Sequence, residues 1–306
     1  MRKLMKKILR ILLPGNPRDW EETNRILAAQ AIILSEIWRS APDFSNPFWI
    51  QKKEFRAYSQ FGDDGIIQWL IYALNIDQGS FIEFGIGDYY ESNIHFLLIN
   101  NRFAGFVMDG SKTNIDTVRS SSMYWRYKLN AVQHFVTRDN INDLLKESGF
   151  EKIELLHIDL DGNDYYVLDS IDLSHLDPDI LVLEYNSAFG KDRAITIPYN
   201  PNFHRINAHY SGKYFGASLL CFNDLAVKKG YYFIGCNSAG NNAYFLAIRH
   251  CTKIPKTDIY DGFQETGYRE ARDRQGNLSF LQINDELDLI RGLDVIDTRA
   301  SRYTKI

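Results

Sequence analysis

Five short apolar runs, separated by stretches of helical periodicity, constrain this chain more than any other feature. They are residues 80–84, 105–109, 132–136, 153–158 and 180–184. Val, Ile, Leu and Phe fill them with little alternation, the pattern of strands buried on both faces. Helices are expected between them, near 91–101, 112–121, 140–148 and 164–171, with another before them at 63–74. Strands that alternate with helices pair in parallel, and their right-handed crossovers cover both faces. The class is therefore α/β, a doubly wound, mostly parallel sheet. A helix is expected at 217–229, then Tyr231–Gly235 and Ala243–Ile248 around a Gly/Asn-rich turn. That is a hairpin, which makes the last strand antiparallel.

The first run ends in an unusual way: Ser80-Phe-Ile-Glu-Phe-Gly-Ile-Gly-Asp88. A buried strand stops at a Gly-x-Gly turn flanked by acids. Glycine is needed where the backbone approaches a ligand or takes positive φ. A phosphate wants bare amides at a helix N-terminus, and Glu83 and Asp88 would repel it. They suit hydroxyls and an ammonium group. Asp109 ends the second run 22 positions after Gly87, where an acid accepts bonds from both ribose hydroxyls. A dinucleotide fingerprint would need a third glycine, but the turn continues Tyr89-Tyr90-Glu91. This set of groups describes S-adenosylmethionine (SAM) better than NAD or ATP.

A second acidic cluster follows the fourth run: His157-Ile-Asp-Leu-Asp-Gly-Asn-Asp164. Asp159, Asp161 and Asp164 crowd one strand end, which is costly unless a cation or ligand offsets them. A calcium loop is excluded, because position 170 is Ser and a strand precedes. The fifth run ends Leu183-Glu-Tyr-Asn-Ser187, so Glu184 and Asn186 should lie near Asp159. Oxygen donors of Asp159, Asp161, Glu184 and Asn186 suit Mg²⁺. The same groups equally suit a sugar bound directly. Residues 186–215 are rich in Asn, Gly, Pro, Tyr and His without clear periodicity, the composition of a substrate lid. Its His204 and His209 are candidate general bases, each equally fit for a packing role, while Tyr199, Tyr210 and Tyr214 suit stacking on a sugar. His157, inside a strand, reads as structural.

The bulk composition restricts the partners. Over 306 residues, 35 bases against 39 acids give a net charge of −4, wrong for a nucleic-acid binder. Cys221, Cys236 and Cys251 form no metal or disulfide spacing, which favours a reducing compartment. Arg2, Lys3, Lys6, Lys7 and Arg10 are interleaved with Leu, Ile and Met, and no acid precedes Pro14. The segment is too short to span a bilayer and lacks a secretory cleavage pattern. It reads either as a basic helix on an anionic inner membrane face or as a docked first helix. A second helix is expected over 16–40. The expected organisation is an N-terminal helical extension (1–55), a SAM-binding domain (56–250) with the lid at 186–215, and a C-terminal extension (251–306). That extension is polar and mixed, with one helix near 284–292 and otherwise surface wrapping.

Several segments resemble class I SAM-dependent methyltransferases of the FkbM-like branch. They are Tyr58-Ser-Gln-Phe-Gly-Asp-Asp-Gly65, Phe81-Ile-Glu-Phe-Gly-Ile-Gly87, Val107-Met-Asp-Gly-Ser111, Ile158–Asp164, Leu183–Asn186, Gly216-Ala-Ser-Leu219 and the closing Lys229-Gly-Tyr…Asn242-Ala-Tyr-Phe. The likeness covers roughly residues 55–250. It implies a seven-stranded, Rossmann-like sheet with an antiparallel last strand, and methyl transfer to oxygen on sugars of cell-surface polysaccharides or on secondary metabolites. It also implies that Glu83, Gly85 and Gly87 line the donor's methionine and ribose. Asp109 would take the ribose hydroxyls, Gly110 and Ser111 would flank the adenine, and Gln60 would touch the methionine end. Asp159 would sit under the methionine amine. Two function classes follow. One is a cytoplasmic, bacterial O-methyltransferase for a glycan or glycolipid, peripheral to the inner membrane. The other is a methyltransferase-like scaffold kept as a non-catalytic subunit of a glycan-synthesis complex.

Overall fold

The computed structural model describes residues 39–306. The basic segment 1–13 and the expected helix 16–40 lie outside these residues, except that Arg39 and Ser40 form a turn. Strands β1 (Ser80–Phe84), β2 (Ala104–Asp109), β3 (Leu129–Gln133), β4 (Leu155–Ile158) and β5 (Ile180–Glu184) all run parallel. A two-residue strand, β6 (Ile195–Thr196), lies apart from them. The hairpin β7 (Tyr231–Cys236) and β8 (Asn242–Ala247) completes a seven-stranded sheet in the order β3-β2-β1-β4-β5-β8-β7. The last of these seven strands in sequence, β8, is antiparallel and sits inside the sheet between β5 and β7.

Both faces of the sheet are apolar, as continuous runs require. Phe84, Phe106, Met108, Ile158 and Leu183 point into one core, shared with α-helical Leu144, Val167 and Phe222. Their alternate neighbours Phe81, Val107, Leu155 and Val182 point into the other, with Ile67, Leu70 and Ile115. The helices that supply these residues are α1 (Asp63–Leu74), α2 (Lys112–Ser120), α4 (Ile141–Glu147), α5 (Asp164–Ser170) and α7 (Leu219–Lys228), while α3 (Ser122–Arg126) and a short α6 (Arg205–Ala208) bury no residue.

Three expectations are corrected. The third strand is Leu129–Gln133, not 132–136, because Leu129 and Ala131 are the residues turned into the core. Residues 134–136 instead leave the sheet and wall the crevice. The helix expected at 91–101 is reduced to a short turn that ends as a π-helical stretch, Leu97–Asn101, with Arg102 left-handed behind it. The C-terminal segment does not merely wrap the surface. After α8 (Ile283–Ile290), strands β9 (Asp294–Asp297) and β10 (Arg302–Lys305) form a second sheet, β10-β9-β6, whose third strand comes from the lid. That pairing spans about a hundred residues, so no local periodicity announces it. Among the described residues, no helix is long and apolar enough to cross a membrane.

The strand order reverses between β1 and β4. Connections leave these two strands in opposite directions, which opens a crevice beyond their C-terminal ends.

Candidate active site

A cavity of about 1080 Å³ stands over that crevice. The turn Gly85–Gly87 forms one side, the tips of β2 and β4 the others, and lid residues Phe203–Asn207 lie across it. Cavities that hold whole small ligands run to about 1000 Å³, so there is room for a nucleoside donor and part of an acceptor.

The two glycines of the turn have different reasons to be glycine. A Cβ on Gly85 (φ +74°) would lie 1.6 Å from the Asp159 carbonyl oxygen, so the close approach is to the β4 backbone. A Cβ on Gly87 (φ +56°) would meet nothing within 4 Å. It would project into open space at the cavity wall, a cradle that suits a bound group. Asp109 ties this turn to the next: Oδ2 accepts from the Gly87 amide at 2.9 Å and Oδ1 from the Ser111 amide at 2.7 Å. Asn114 donates to Oδ1 as well, at 3.0 Å. A carboxylate offers about four lone-pair sites, which leaves acceptor capacity toward the cavity. Ser111 caps α2 by accepting from the Asn114 amide, and Gly110 leaves room for Phe135, 3.1 Å from where a Cβ would stand.

Asp159 and Asp161 follow β4, and Glu184 ends β5. Oxygens of these three carboxylates lie within 4.8 Å of one another. Burial, then the Asp161 charge, push the Asp159 carboxyl up to about 7. Glu184 is held well above the usual carboxylate range by burial and by Asp159 beside it. Glu184 is 7% exposed, and its Oε2 is buried with no hydrogen-bond partner. Two carboxyls this close in a dry site do not both ionise freely.

Other expected residues sit elsewhere. Glu83 is beneath the cavity, 2% exposed, accepting from Ser92 Oγ at 2.7 Å and paired with His157 Nδ1 at 3.1 Å. It supports the turn from below. His157 is likewise buried, which agrees with a structural role. Gln60 is exposed and does not line the cavity. The amide of Asn186 is committed to the lid: Nδ2 donates to the Lys213 and Phe215 carbonyls, and Oδ1 accepts from the Ala188 amide. That leaves three carboxylates, without Asn186, as a hard-cation set. His209 pairs with Ser211 Oγ at 2.7 Å and does not line the cavity. His204 does line it, but its ring lies 5.7 Å from Phe135, at the β2–β3 end. Asp164 accepts the Leu160 and Gly162 amides and so shapes its own loop.

The sequence reading missed Arg205. His204 is extended (φ −136°, ψ 120°), so adjacent side chains diverge and Arg205 faces the acids. Its guanidinium bonds Asp161 Oδ1 at 2.7 Å and Glu270 Oε2 at 3.0 Å, donates to the Gly212 carbonyl, and lies 4.0 Å over the Phe215 ring. Nothing in the local sequence marks an arginine whose partners are 44 and 65 residues away.

Residues 72–212, from α1 through the lid, match the model of the methyltransferase FkbM domain. These residues form an FkbM methyltransferase domain. No curated relative matches the sequence. Among solved structures, the chain resembles TrmK of M. capricolum in complex with the cofactor product S-adenosyl-homocysteine, at 10% identity over 58% of this chain and 65% of that one (TM-score 0.33). It also resembles a S-adenosylmethionine-dependent methyltransferase from Clostridium acetobutylicum ATCC 824, at 11% identity over 60% of this chain and 90% of that one (TM-score 0.39). A third is the O-methyltransferase from Bacillus cereus in complex with S-adenosyl-homocysteine, at 11% identity over 79% and 94% (TM-score 0.38). The strand order of the methyltransferase domain, rather than these distant likenesses, defines its fold. The cavity is built from this domain except for Glu270, Arg272 and Gly276, which come from the C-terminal segment.

Proposed function

We propose that the chain transfers a methyl group from SAM to a hydroxyl of a sugar or glycolipid. The observation that carries this is the turn at the β1–β4 reversal: Gly87 opens onto the cavity, and Asp109 holds the Gly87 amide while facing the same space. No phosphate cradle is present there, and the carboxylates favour hydroxyls and an ammonium group. Asp109 would hold the ribose, the Gly85–Gly87 backbone and Asp159 the methionine end, and Gly110 and Ser111 the adenine edge. His204 and Phe135 stand at that same edge. When bound, SAM supplies an electrophilic methyl on a positively charged sulfur.

The chain's own residues align the acceptor and receive its proton. A sugar hydroxyl is a poor nucleophile and needs a base. Asp159, with its carboxyl raised to about 7 by burial and the Asp161 charge, takes a proton near neutral pH. Glu184 beside it is raised as well, by burial and the Asp159 charge. The polar, acid-lined end of the cavity fits a polyhydroxylated acceptor. The bases among residues 1–13 support a place at an anionic inner membrane face, where glycolipid acceptors are assembled. We read the protein as cytoplasmic on that basis.

Calorimetry with S-adenosyl-homocysteine tests the donor site. One site per chain is expected. Asp109→Ala should weaken it by about 1–3 kcal/mol, the cost of leaving ribose hydroxyls without their buried acceptor. A folded wild-type chain that binds neither SAM nor its product overturns the reading. Methyl transfer to pooled sugar nucleotides and glycolipids then tests the acceptor class.

A further inference from the structure

One wall of the cavity comes from outside the matched residues 72–212. It is a hairpin, Ala271-Arg-Asp-Arg-Gln-Gly-Asn-Leu-Ser279. Arg272 pairs with Leu278, the Asp273 amide donates to the Asn277 carbonyl at 2.8 Å, and Gly276 turns the chain at φ +86°. The Asp273 carboxylate is committed to this turn, since Oδ1 accepts from the Gln275 and Asn277 amides at 2.9 Å each. The hairpin is also fastened to the lid. The Arg272 amide donates to the Ser211 carbonyl at 3.1 Å, and the Arg274 guanidinium lies 4.7 Å over the Tyr210 ring.

The charges on this wall are unbalanced. Glu270, just before the hairpin, is held by Arg205 at 3.0 Å. Among the described residues, no acid is in ion-pair contact with Arg272 or Arg274. Arg272 is half-buried and lines the cavity. Among the same residues its guanidinium has a single hydrogen bond, from Nη1 to the Gly276 carbonyl at 2.9 Å. A guanidinium carries its donors in a planar fork that matches a carboxylate or a phosphate. Here most of that fork has no acceptor, at the wall of a ligand cavity.

We propose that Arg272 is a specificity residue for an acceptor that carries an oxyanion, either a phosphate ester or a carboxylate on the sugar. The inference rests on the reading of the acceptor as a sugar. Charge-assisted, bidentate bonds to such a group give orientation as well as affinity. Arg205 bonds Glu270 on the hairpin side and Asp161 on the other, so a positive charge separates the bound anion from the acids at the β4 tip. The acceptor is then held at two points, its anion by the hairpin and its reacting hydroxyl near Asp159. The donor also has a carboxylate, but its methionine end is assigned to the Gly85–Gly87 turn. Because residue 272 lies beyond the matched domain, this preference belongs to the C-terminal segment of this chain.

The test uses three probes, glucose, glucose 1-phosphate and glucuronate, titrated into the full chain and followed by ligand-observed NMR, with and without S-adenosyl-homocysteine. At least one charged sugar should bind about tenfold tighter than glucose, the order for hydrogen bonds to a charged group. Which of the two does so identifies the anion. Arg272→Gln should abolish that preference and leave the affinity for S-adenosyl-homocysteine unchanged. Arg272→Lys keeps the charge without the fork and should lose part of the preference; it decides the matter if the Gln variant does not fold. A wild type that holds neither charged sugar tighter than glucose overturns the proposal, as does a preference that survives both substitutions. If Arg272→Gln instead weakens S-adenosyl-homocysteine, the arginine serves the donor and the proposal is equally overturned. Preference in the absence of S-adenosyl-homocysteine is read without the donor, so failure of the donor site and failure of this inference are separate results.

Discussion

Two glycines two residues apart illustrate what a single residue can and cannot reveal. The sequence marks both Gly85 and Gly87 as positions where backbone meets a ligand. The structure separates them, because the neighbour that forbids a side chain at Gly85 is the Asp159 carbonyl, 74 residues away. Gly85→Ala should therefore act on stability. A Cβ 1.6 Å from that oxygen must push the β1 and β4 tips apart, costing about 1–3 kcal/mol for overpacking and about 1–2 more for the left-handed backbone. Gly87→Ala has open space and carries only the backbone cost of about 1–2 kcal/mol. Its methyl enters the cavity, so loss of donor affinity should exceed loss of stability. Urea unfolding and calorimetry on both variants check the contrast. Equal stability losses would mean that the β1–β4 contact is slack. Asp109 was legible for the opposite reason: its partners, Gly87 and Ser111, belong to the motif that announced it.

At the scale of elements, strand β5 and helix α1 lie where periodicity puts them, since both are buried runs with clear ends. The segment after the glycine turn does not. Residues 91–101 carry helical spacing, yet the chain there must hold the turn in place. Tyr89 takes φ +63°, and His95 is packed between the Tyr58 and Tyr89 rings, with centroids 4.1 and 4.8 Å away and near-parallel planes. Aromatic stacking on a residue 37 positions upstream overrides the local helical preference. This has a consequence for pH. Burial pushes His95 down to about 3, against about 6.5 in an unfolded chain. A group with a depressed folded pKa contributes stability that is complete above the unfolded value and is lost as pH falls toward the folded one. Unfolding free energy should thus be flat in this respect above pH 7 and decline below 6.5. By pH 4.5 the loss from His95 is about 2–3 kcal/mol, at 1.36 kcal/mol per pH unit. His95→Phe keeps the stack and should remove that part of the slope. Denaturant melts from pH 4.5 to 7.5 decide it, and identical slopes for both proteins would place the proton uptake elsewhere.

Across the whole molecule, the parallel sheet was readable because each strand and helix follows its neighbour in sequence. The second sheet was not, since its lid strand pairs with β9 about a hundred residues further on, with the β7–β8 hairpin between them in sequence. The same long-range closure fixes the lid. Lys213 is 3% exposed and pairs with Glu286 of α8 at 3.3 Å, while its ammonium also lies 5.1 Å over the Tyr268 ring. One buried ion pair therefore joins the lid, the C-terminal helix and the rim that carries Glu270. Removing one partner of such a pair strands a charge in a dry interior, at a cost of about 3–5 kcal/mol, whereas replacing both by apolar groups is often near neutral. Lys213→Met and Glu286→Leu should each destabilise the chain by that amount, and the double variant by clearly less than either. Because Arg205 shares Glu270 with this rim, the single variants should also expose residues 200–212 to protease at concentrations that leave the wild type uncut. Urea unfolding of the four proteins, read as a double-mutant cycle beside the digestion, measures both effects. Strict additivity of the two singles would mean that Lys213 and Glu286 are merely neighbours and that the C-terminal helix does not hold the lid through them.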